Sequence, residues 1–324
     1  RRAQRLIREF GEHREYGIKI KGILDPDSSR IGESVYGVSV SGDISSIRKQ
    51  IHEKEIDEVF FALDLNLIPD NENVFSYLNT IGVGYHIVLN ENVHKYAEKS
   101  LNIIPVTNSY YGIPMLSFQP VSANHIKLYI KNCIERLLAF ILLILSLPIL
   151  ILFGILIKCT SSGSVFFKQV RVGLRGRKFY QYKLRSMIVD ADNLKNQYMY
   201  LNEQSGPAFK IKNDPRLTKV GKFMRKFSID ELPQLINILM GAMSLIGPRP
   251  PLPSEVKNYK DVHFRRLSMK PGITGLWQVS GRNNIKDFDK WVELDLDYID
   301  RWSFALDFKI ALKTVSTVLS GTGS

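Results

Sequence analysis

The sequence has few of the residues that build disulfide scaffolds, zinc modules and histidine-based catalytic sites. Its 324 residues include only two cysteines, Cys133 and Cys159, which excludes a disulfide framework and a cysteine-rich zinc site. Of six histidines, only His263 follows the long apolar segment described below, so Ser-His-Asp, Cys-His and His-ligated zinc mechanisms are poorly supported. The sequence also has neither a G-x-G-x-x-G nor a Walker A pattern.

Positive charge, by contrast, is plentiful and unevenly distributed. The 44 lysines and arginines exceed the 32 acidic residues, which gives a net charge of +12. Residues 127–229 contain 19 of the basic residues and only five acidic ones, so the rest of the chain is nearly neutral. This distribution predicts an anionic partner, which could be nucleic acid, a phosphorylated substrate or an acidic membrane surface.

A long apolar segment lies inside this basic region. Residues 137–157 form a run of 21 residues without a charge, enough for a helix of about 30 Å, the thickness of a bilayer core. Pro148 lies near its middle, close to Ser146, and basic residues flank both ends. Because lysine and arginine mark the cytoplasmic side, we predict a helix that dips into the membrane and returns to the same face. A single crossing and a buried core helix are the alternatives.

The region before the apolar segment reads as an α/β domain. Residues 1–12 are predicted to be helical, Asp43 to cap a second helix, and residues 59–63 and 83–89 to be strands on either side of a third helix. This alternation predicts a Rossmann-like parallel sheet over residues 1–91. Its first strand and glycine-rich turn are expected upstream of residue 1. Residues 92–126, which contain four Pro or Gly positions, are predicted to be a loop-rich linker.

An acidic pair in a basic setting is the strongest chemical feature after the apolar segment. Asp230 and Glu231 follow Arg225 closely, and Ser228 with Glu231 fits an S-x-x-E capping box at a helix start. The pair could simply complement the helix dipole. It could also act on a phosphate, with Asp230 as a nucleophile and Glu231 as a magnesium ligand.

Three further clusters follow the acidic pair. Residues 247–251 form a proline-rich turn that fixes Arg249, residues 271–283 form a glycine-rich loop that ends near Arg282, and Asp295 lies on a predicted helix. Each is equally compatible with an ordinary turn, loop or solvated helix face.

Taken together, these motifs resemble the bacterial sugar transferase family, the large monotopic phosphoglycosyl transferases that act on polyprenyl phosphate. The matching stretches occur in family order; they are residues 166–173, 182–187, 228–235, 243–250, 271–283 and 302–314. The resemblance implies a mixed α/β protein. It would have a truncated Rossmann-like regulatory domain over residues 1–91, the linker over 92–126, a re-entrant membrane helix over 127–160 and a mainly helical monotopic catalytic domain over 161–324.

The resemblance also implies a ping-pong reaction and a role for each matching residue. Asp230 would attack the sugar-bearing phosphate of a UDP-sugar and release UMP, and polyprenyl (undecaprenyl) phosphate would then take the sugar-1-phosphate. Glu231 and Asp295 would be acidic residues of a Mg²⁺ site, and Ser146 with Pro148 would form the membrane bend, although Leu147 stands where many members have serine. The implied substrate-binding residues are Lys183, Arg185, Arg225, Pro248, Arg249, Pro250, Gln278 and Arg282.

The resemblance places this chemistry at the cytoplasmic face of the bacterial inner membrane, at the start of exopolysaccharide, capsule or O-antigen synthesis. It implies no nucleic acid partner and allows a homodimer. Two other classes stay open at this point: a membrane scaffold without catalysis, and a nucleotide-sugar dehydrogenase or epimerase. The intact Asp230-Glu231 pair argues against the first, and the missing Tyr-x-x-x-Lys motif argues against the second.

Overall fold

The computed structural model shows two compact units, residues 1–121 and 122–324. Each is described by itself. The structure describes residues 2–13, 15, 17–68, 70–89, 106–110, 113–119, 125–191, 193–207, 209, 211, 214–281, 285 and 287–321.

The first unit is a mixed α/β structure. Its helices are α1 (Arg2–Glu12), α2 (Ile47–Lys54) and α3 (Asn71–Ile81). Its strands are β1 (Ile23–Leu24), β2 (Ser34–Val35), β3 (Val38–Gly42), β4 (Glu58–Phe61), β5 (Gly84–Val88), β6 (Val106–Tyr110) and β7 (Ile113–Phe118). They form two sheets, with the orders β1-β3-β2 and β4-β5-β7-β6. The predicted cap lies one turn earlier than expected: the Asp43 carboxylate accepts a hydrogen bond from Ser46 N (3.1 Å) and caps the 3₁₀ turn Ile44–Ser46 that leads into α2, not α2 itself.

The predicted parallel sheet is found only in part. Among the described strands of this unit, β4 with β5 and β1 with β3 pair in parallel, whereas β2 runs antiparallel to β3, and β7 runs antiparallel to both β5 and β6. The strands β6 and β7 lie inside the segment predicted to be a linker, and they were missed because Gly112 and Pro114 read as loop residues. Just two residues separate these strands, and so short a connection permits only antiparallel pairing. The side chains of Ile113 and Met115 are buried against α1 and β5.

The second unit begins with a long apolar helix, and short helices and strand pairs follow it. The helices are α4 (His125–Thr160), α5 (Lys219–Lys226), α6 (Gln234–Leu239), α7 (Pro253–Val256), α8 (Asp261–Phe264), α9 (Leu276–Val279), α10 (Phe288–Asp300) and α11 (Phe304–Leu319). The strands β8 (Phe166–Val172) and β9 (Lys178–Leu184) pair antiparallel, and β10 (Ser244–Ile246) and β11 (Gly272–Thr274) pair in parallel.

The predicted apolar helix is confirmed in α4, which continues through Pro148. It is long and apolar enough to cross a membrane. One face is buried at residues spaced four or seven apart: Lys131, Glu135, Ala139, Ser146, Phe153 and Ile157. Ala139 packs with residues of α6, and Ile157 packs with residues of β9 and α5. The opposite face exposes leucine, isoleucine and phenylalanine side chains along the whole apolar run. One edge of α4 is therefore attached to the second unit over most of its length.

Lys131 is one of the basic residues that precede the apolar segment, and it is buried. Its ammonium group lies 2.8 Å from Glu135 Oε1 and 2.6 Å from Asp307 Oδ2 on α11. The Tyr298 hydroxyl donates to Asp307 Oδ1 at 2.7 Å, and burial followed by the Asp307 charge raises the Tyr298 pKa well above its usual value. This network ties α4 to α11, so Lys131 does not help to orient the segment.

Candidate active site

A cleft of about 800 Å³ lies within the second unit. Many of the predicted site residues line it: Lys183, Arg185, Arg225, Asp230, Glu231, Arg249, Pro250 and Gln278. Asp295 and Pro248 do not line the cleft, and Arg282 lies outside the described residues. The structure thus brings both members of the acidic pair together with four of the predicted cations.

The acidic pair lies in a tight turn between α5 and α6. Ser228 adopts φ +55°, and a short 3₁₀ turn at Ile229–Glu231 leads into α6. The predicted capping box is not formed, because a capping residue needs extended backbone and Ser228 is left-handed. Asp230 is 4% exposed, and its Oδ2 lies 4.0 Å from Arg225 Nε, which donates to Ser186 Oγ at 3.1 Å. The carboxylate therefore faces a cation held in place by a second partner.

Glu231 is paired with a cation from the neighbouring hairpin. Lys183 Nζ on β9 donates to Glu231 Oε1 at 2.9 Å, and both side chains are largely buried. The helix α6, which follows the turn, is held to β9 by Asn237, which accepts a hydrogen bond from Tyr182 N (3.1 Å) and donates one to Tyr180 O (2.7 Å). These contacts fix the position of the acidic pair relative to Lys183.

Arg185 borders the cleft, but its hydrogen bonds are made to the residues that follow the apolar helix α4. Its guanidinium donates to the carbonyl oxygens of Ser161 (3.0 Å) and Ser162 and to the Ser161 hydroxyl (2.8 Å). The structure therefore gives this predicted substrate-binding residue a second task, which is to join β9 to the residues that follow α4.

We expect Arg185→Lys to act mainly on stability. A lysine cannot reproduce the forked set of hydrogen bonds, so the free energy of unfolding should fall by about 1–3 kcal/mol. The KM for the UDP-sugar that the resemblance implies should change little. Chemical unfolding and steady-state kinetics on the same preparation would check both, with Arg177→Lys, at an exposed arginine of the same hairpin, as the control. Unchanged stability with a strongly raised KM would assign Arg185 to substrate instead.

The proline-rich turn after β10 is held by backbone contacts on both sides. Gly272 N donates to Pro248 O at 2.9 Å, and Arg171 donates to Pro250 O at 3.0 Å. A Cβ on Gly272 would lie 2.2 Å from Gly247 N, so the two segments approach more closely than any other residue allows. The turn presents Arg249 to the cleft, with its guanidinium 3.4 Å from Glu255 and 5.1 Å from the centre of the Trp291 ring.

Asp295 lies apart from the acidic pair. It is 1% exposed, and its Oδ2 lies 2.7 Å from a guanidinium nitrogen of Arg266, which is itself buried and also donates to the Tyr259 hydroxyl at 2.6 Å. Burial raises the pKa of Asp295 to about 6, while Arg266 opposes this rise. Burial also raises the pKa of Tyr259 to about 12. In this arrangement Asp295 neutralises Arg266 beneath Arg249, whose carbonyl oxygen accepts from Arg266 at 3.3 Å.

The donor groups fit a magnesium ion in part. Among the described residues, there is no cluster of three or more His, Cys, Asp or Glu side chains that could hold a metal. Mg²⁺ bound to a nucleotide usually takes only one or two carboxylates, and phosphate oxygens and water complete its shell. Glu231 in the cleft meets that need, whereas the buried Asp295 does not.

Two glutamines in the cleft were missed from the sequence. Gln181 on β9 and Gln234 at the start of α6 both line it, and their side chains are hydrogen bonded to each other at 2.9 Å. Strand alternation could have revealed the first, because Gln181 lies on the same face of β9 as Lys183.

Comparison with known proteins agrees with this geometry. A family model described as bacterial sugar transferase matches residues 126–321. The chain is 56% identical over 162 residues to a galactosyl transferase, CpsE, of Streptococcus agalactiae serotype III, which covers 50% of this chain and 36% of that protein. It is 34% identical over 281 residues to an undecaprenyl-phosphate galactose phosphotransferase of Salmonella typhimurium (81% of this chain, 58% of that protein).

A third relative matches almost the whole chain. The UDP-glucose:undecaprenyl-phosphate glucose-1-phosphate transferase of Klebsiella pneumoniae is 32% identical over 321 residues, which cover 96% of this chain and 64% of that protein. In each of these three alignments, the matched part is less than two thirds of the relative's length.

Proposed function

We propose that this chain, which belongs to the bacterial sugar transferase family, transfers a sugar-1-phosphate from a UDP-sugar to undecaprenyl phosphate or a similar polyprenyl phosphate. The observation that carries the proposal is the buried Asp230 beside Glu231 in a cleft lined by lysine and arginine, within a unit that also bears a long apolar helix. The names of the Salmonella and Klebsiella relatives describe the same class of reaction. The family's role in exopolysaccharide or capsule synthesis is proposed for this chain as well.

The reaction we propose has two displacement steps at one phosphorus atom. In the first, an Asp230 carboxylate oxygen attacks the sugar-bearing phosphorus of the UDP-sugar. A P–O bond forms, the P–O bond to UMP breaks, and UMP leaves with the electron pair. In the second, a phosphate oxygen of the polyprenyl phosphate attacks the same phosphorus and displaces the Asp230 carboxylate. Neither nucleophile needs a base, because both are already anionic at neutral pH.

The cations of the cleft supply the charge that this reaction needs. Phosphoryl transfer depends mainly on positioning and on neutralising the phosphate oxygens. Arg225, 4.0 Å from Asp230, and Arg249, held between Glu255 and Trp291, would fill this role. Mg²⁺, held by Glu231 and by phosphate oxygens of the substrate, would add further neutralisation. Lys183 would orient Glu231.

We expect Glu231→Gln to weaken the dependence of activity on magnesium rather than the fold. Glutamine keeps an oxygen for Lys183 but loses the charge that attracts the cation. The Mg²⁺ concentration for half-maximal transfer should rise by about tenfold or more, while the unfolding midpoint should change little. A magnesium titration of both proteins tests this, with Glu293→Gln, at an exposed position on α10, as the control. A lower unfolding midpoint with an unchanged magnesium titration would make Glu231 a structural residue.

We further propose that α4 enters the bilayer from the cytoplasmic face and returns to it, with Pro148 in the membrane. The buried edge of α4 supports this, because its contacts with α6 near Ala139 and with α5 near Ile157 belong to the same compact unit. A helix that crossed the bilayer would pull one of these contacts into lipid. An exposed apolar stripe on α11 also supports a membrane surface; its members are Phe304, Phe308, Leu312, Val315 and Leu319.

Single cysteines can test this topology. In a background without Cys133 and Cys159, we expect Lys127→Cys and Ser162→Cys, on either side of the apolar run, to react equally from the cytoplasmic side. An impermeant thiol reagent added to intact cells should label neither. Pro148→Leu should restore the backbone hydrogen bond that proline removes from the helix and favour crossing. Labelling of one flank from outside, in the protein with Pro148 intact, would show a single crossing.

The transfer reaction itself can be tested with a panel of UDP-sugars labelled in the sugar and polyprenyl phosphate in detergent. We expect label in the lipid and an equal amount of UMP. Release of UDP instead would mean that a sugar without its phosphate is transferred, and the proposed function would be wrong.

A further inference from the structure

Gln181 and Gln234 form a buried amide pair at the floor of the cleft. Gln181 is 4% exposed and Gln234 2% exposed, and Gln181 Nε2 donates to Gln234 Oε1 at 2.9 Å. Both line the cleft with Asp230 and Glu231. The pair therefore belongs to the substrate cavity, although the reaction proposed above gives it no role.

The position of the pair follows from the two elements that carry it. Gln181 and Lys183 lie two residues apart on the same face of β9, and Glu231 and Gln234 lie three residues apart where the 3₁₀ turn joins α6. Lys183 is bonded to Glu231 and Gln181 to Gln234, so the amide pair lies directly beside the ion pair. The amide pair and the acidic pair therefore line the same cleft.

The oxygen atom of the Gln181 side-chain amide has no hydrogen-bond partner among the residues that the structure describes. Its Oε1 is buried and accepts no hydrogen bond from them. A buried acceptor without a donor is unfavourable, and nearly all such groups in proteins are paired. The ligand in the cleft is the natural source of the missing donor.

The chemistry of the ligand decides which of its groups can serve. At neutral pH, phosphate oxygens next to a nucleotide only accept hydrogen bonds, so they cannot satisfy an amide oxygen. A sugar hydroxyl donates, and the sugar is attached to the phosphate that Asp230 attacks. We propose that Gln181 is a specificity-determining residue, whose Oε1 accepts a hydrogen bond from one ring hydroxyl of the transferred hexose. This inference rests on the proposed function.

The test removes the Gln181 amide from the protein and one hydroxyl from the sugar, singly and together, and compares the resulting losses in rate. The wild-type protein and Gln181→Met would be compared with the preferred UDP-hexose and with its series of monodeoxy analogues, by kcat/KM for transfer. For one deoxy position, we expect the wild-type protein to lose at least about tenfold. Gln181→Met should show a similar loss with the parent sugar and almost no further loss with that analogue. Gln197→Met, at an exposed glutamine outside the cleft, should behave like the wild-type protein.

Two outcomes would overturn the inference. If the loss in kcat/KM from Gln181→Met multiplies with the loss from the deoxy sugar at every position, Gln181 contacts no sugar hydroxyl. If Gln181→Met does not fold, Gln181→Glu, which keeps an acceptor oxygen, should still discriminate against the same deoxy sugar, and its failure to do so in a folded protein would also contradict the inference. Transfer by the wild-type protein is the internal reference. If the wild-type protein transfers no sugar phosphate, the proposed function is refuted. If it transfers sugar phosphate but the losses multiply at every position, only the role of Gln181 is refuted.

Discussion

Asp230→Asn is expected to lower sugar-phosphate transfer by a factor on the order of 10³ or more. Asparagine has nearly the same shape as aspartate, so the turn between α5 and α6 should be preserved. Its amide oxygen is too weak a nucleophile to attack phosphorus, and the covalent route is lost. Transfer into polyprenyl phosphate, measured from a labelled UDP-sugar, provides the test.

The control for this variant is an aspartate with no place in the cleft. Asp261→Asn changes an exposed carboxylate at the start of α8 and should keep the wild-type rate. The label bound to protein in the absence of lipid should also disappear in Asp230→Asn. If the variant transferred sugar phosphate within about tenfold of the wild-type rate, another group would have to be the nucleophile.

Lys131→Met is expected to have the largest effect on stability. The change leaves Glu135 and Asp307 buried with no cation between them, at distances that are now 2.8 and 2.6 Å from the lysine nitrogen. Removal of one partner from a buried ion pair typically costs about 3–5 kcal/mol. For a unit of this size, the unfolding midpoint should fall by about 10 °C. Thermal unfolding in detergent, followed by tryptophan fluorescence, would measure it.

Two comparisons separate this effect from a general loss of positive charge. Lys309→Met removes an exposed lysine of α11, two residues from Asp307, and should leave the midpoint almost unchanged. Adding Asp307→Asn to Lys131→Met should recover part of the stability, because one uncompensated carboxylate is removed. An unchanged midpoint in Lys131→Met itself would show that the network does not hold α4 to α11.

The sequence was most informative where the signal is local. A run of 21 uncharged residues fixes a helix wherever its neighbours lie, and α4 confirms it. Asp230 and Glu231 stand beside Arg225 in the chain, so their proximity in the fold is close to inevitable. Motifs far apart in the chain, such as Lys183 and Arg249, could be placed in one site only through the resemblance to a family. The structure brings them to the same cleft.

The errors come from contacts between distant residues. Strands β6 and β7 were missed because turn-forming residues near Pro114 outweigh a pattern that only sheet pairing makes decisive. Lys131 reads as a membrane-flanking charge, since its partner Asp307 is 176 residues away. The pairing of Asp295 with Arg266, 29 residues apart in the chain, was missed for the same reason. Ser228 fits a capping box by type and spacing, and only its left-handed backbone excludes one.

Intact-mass spectrometry of the protein incubated with a UDP-sugar, in the absence of lipid acceptor, tests the central claim most directly. The proposed mechanism predicts a mass increase of one sugar phosphate, located on the peptide that contains Asp230, with one equivalent of UMP released. The adduct should disappear when polyprenyl phosphate is added. If the protein transfers sugar phosphate to lipid yet gains no mass and releases no UMP before the lipid is present, transfer is direct and Asp230 is not the nucleophile.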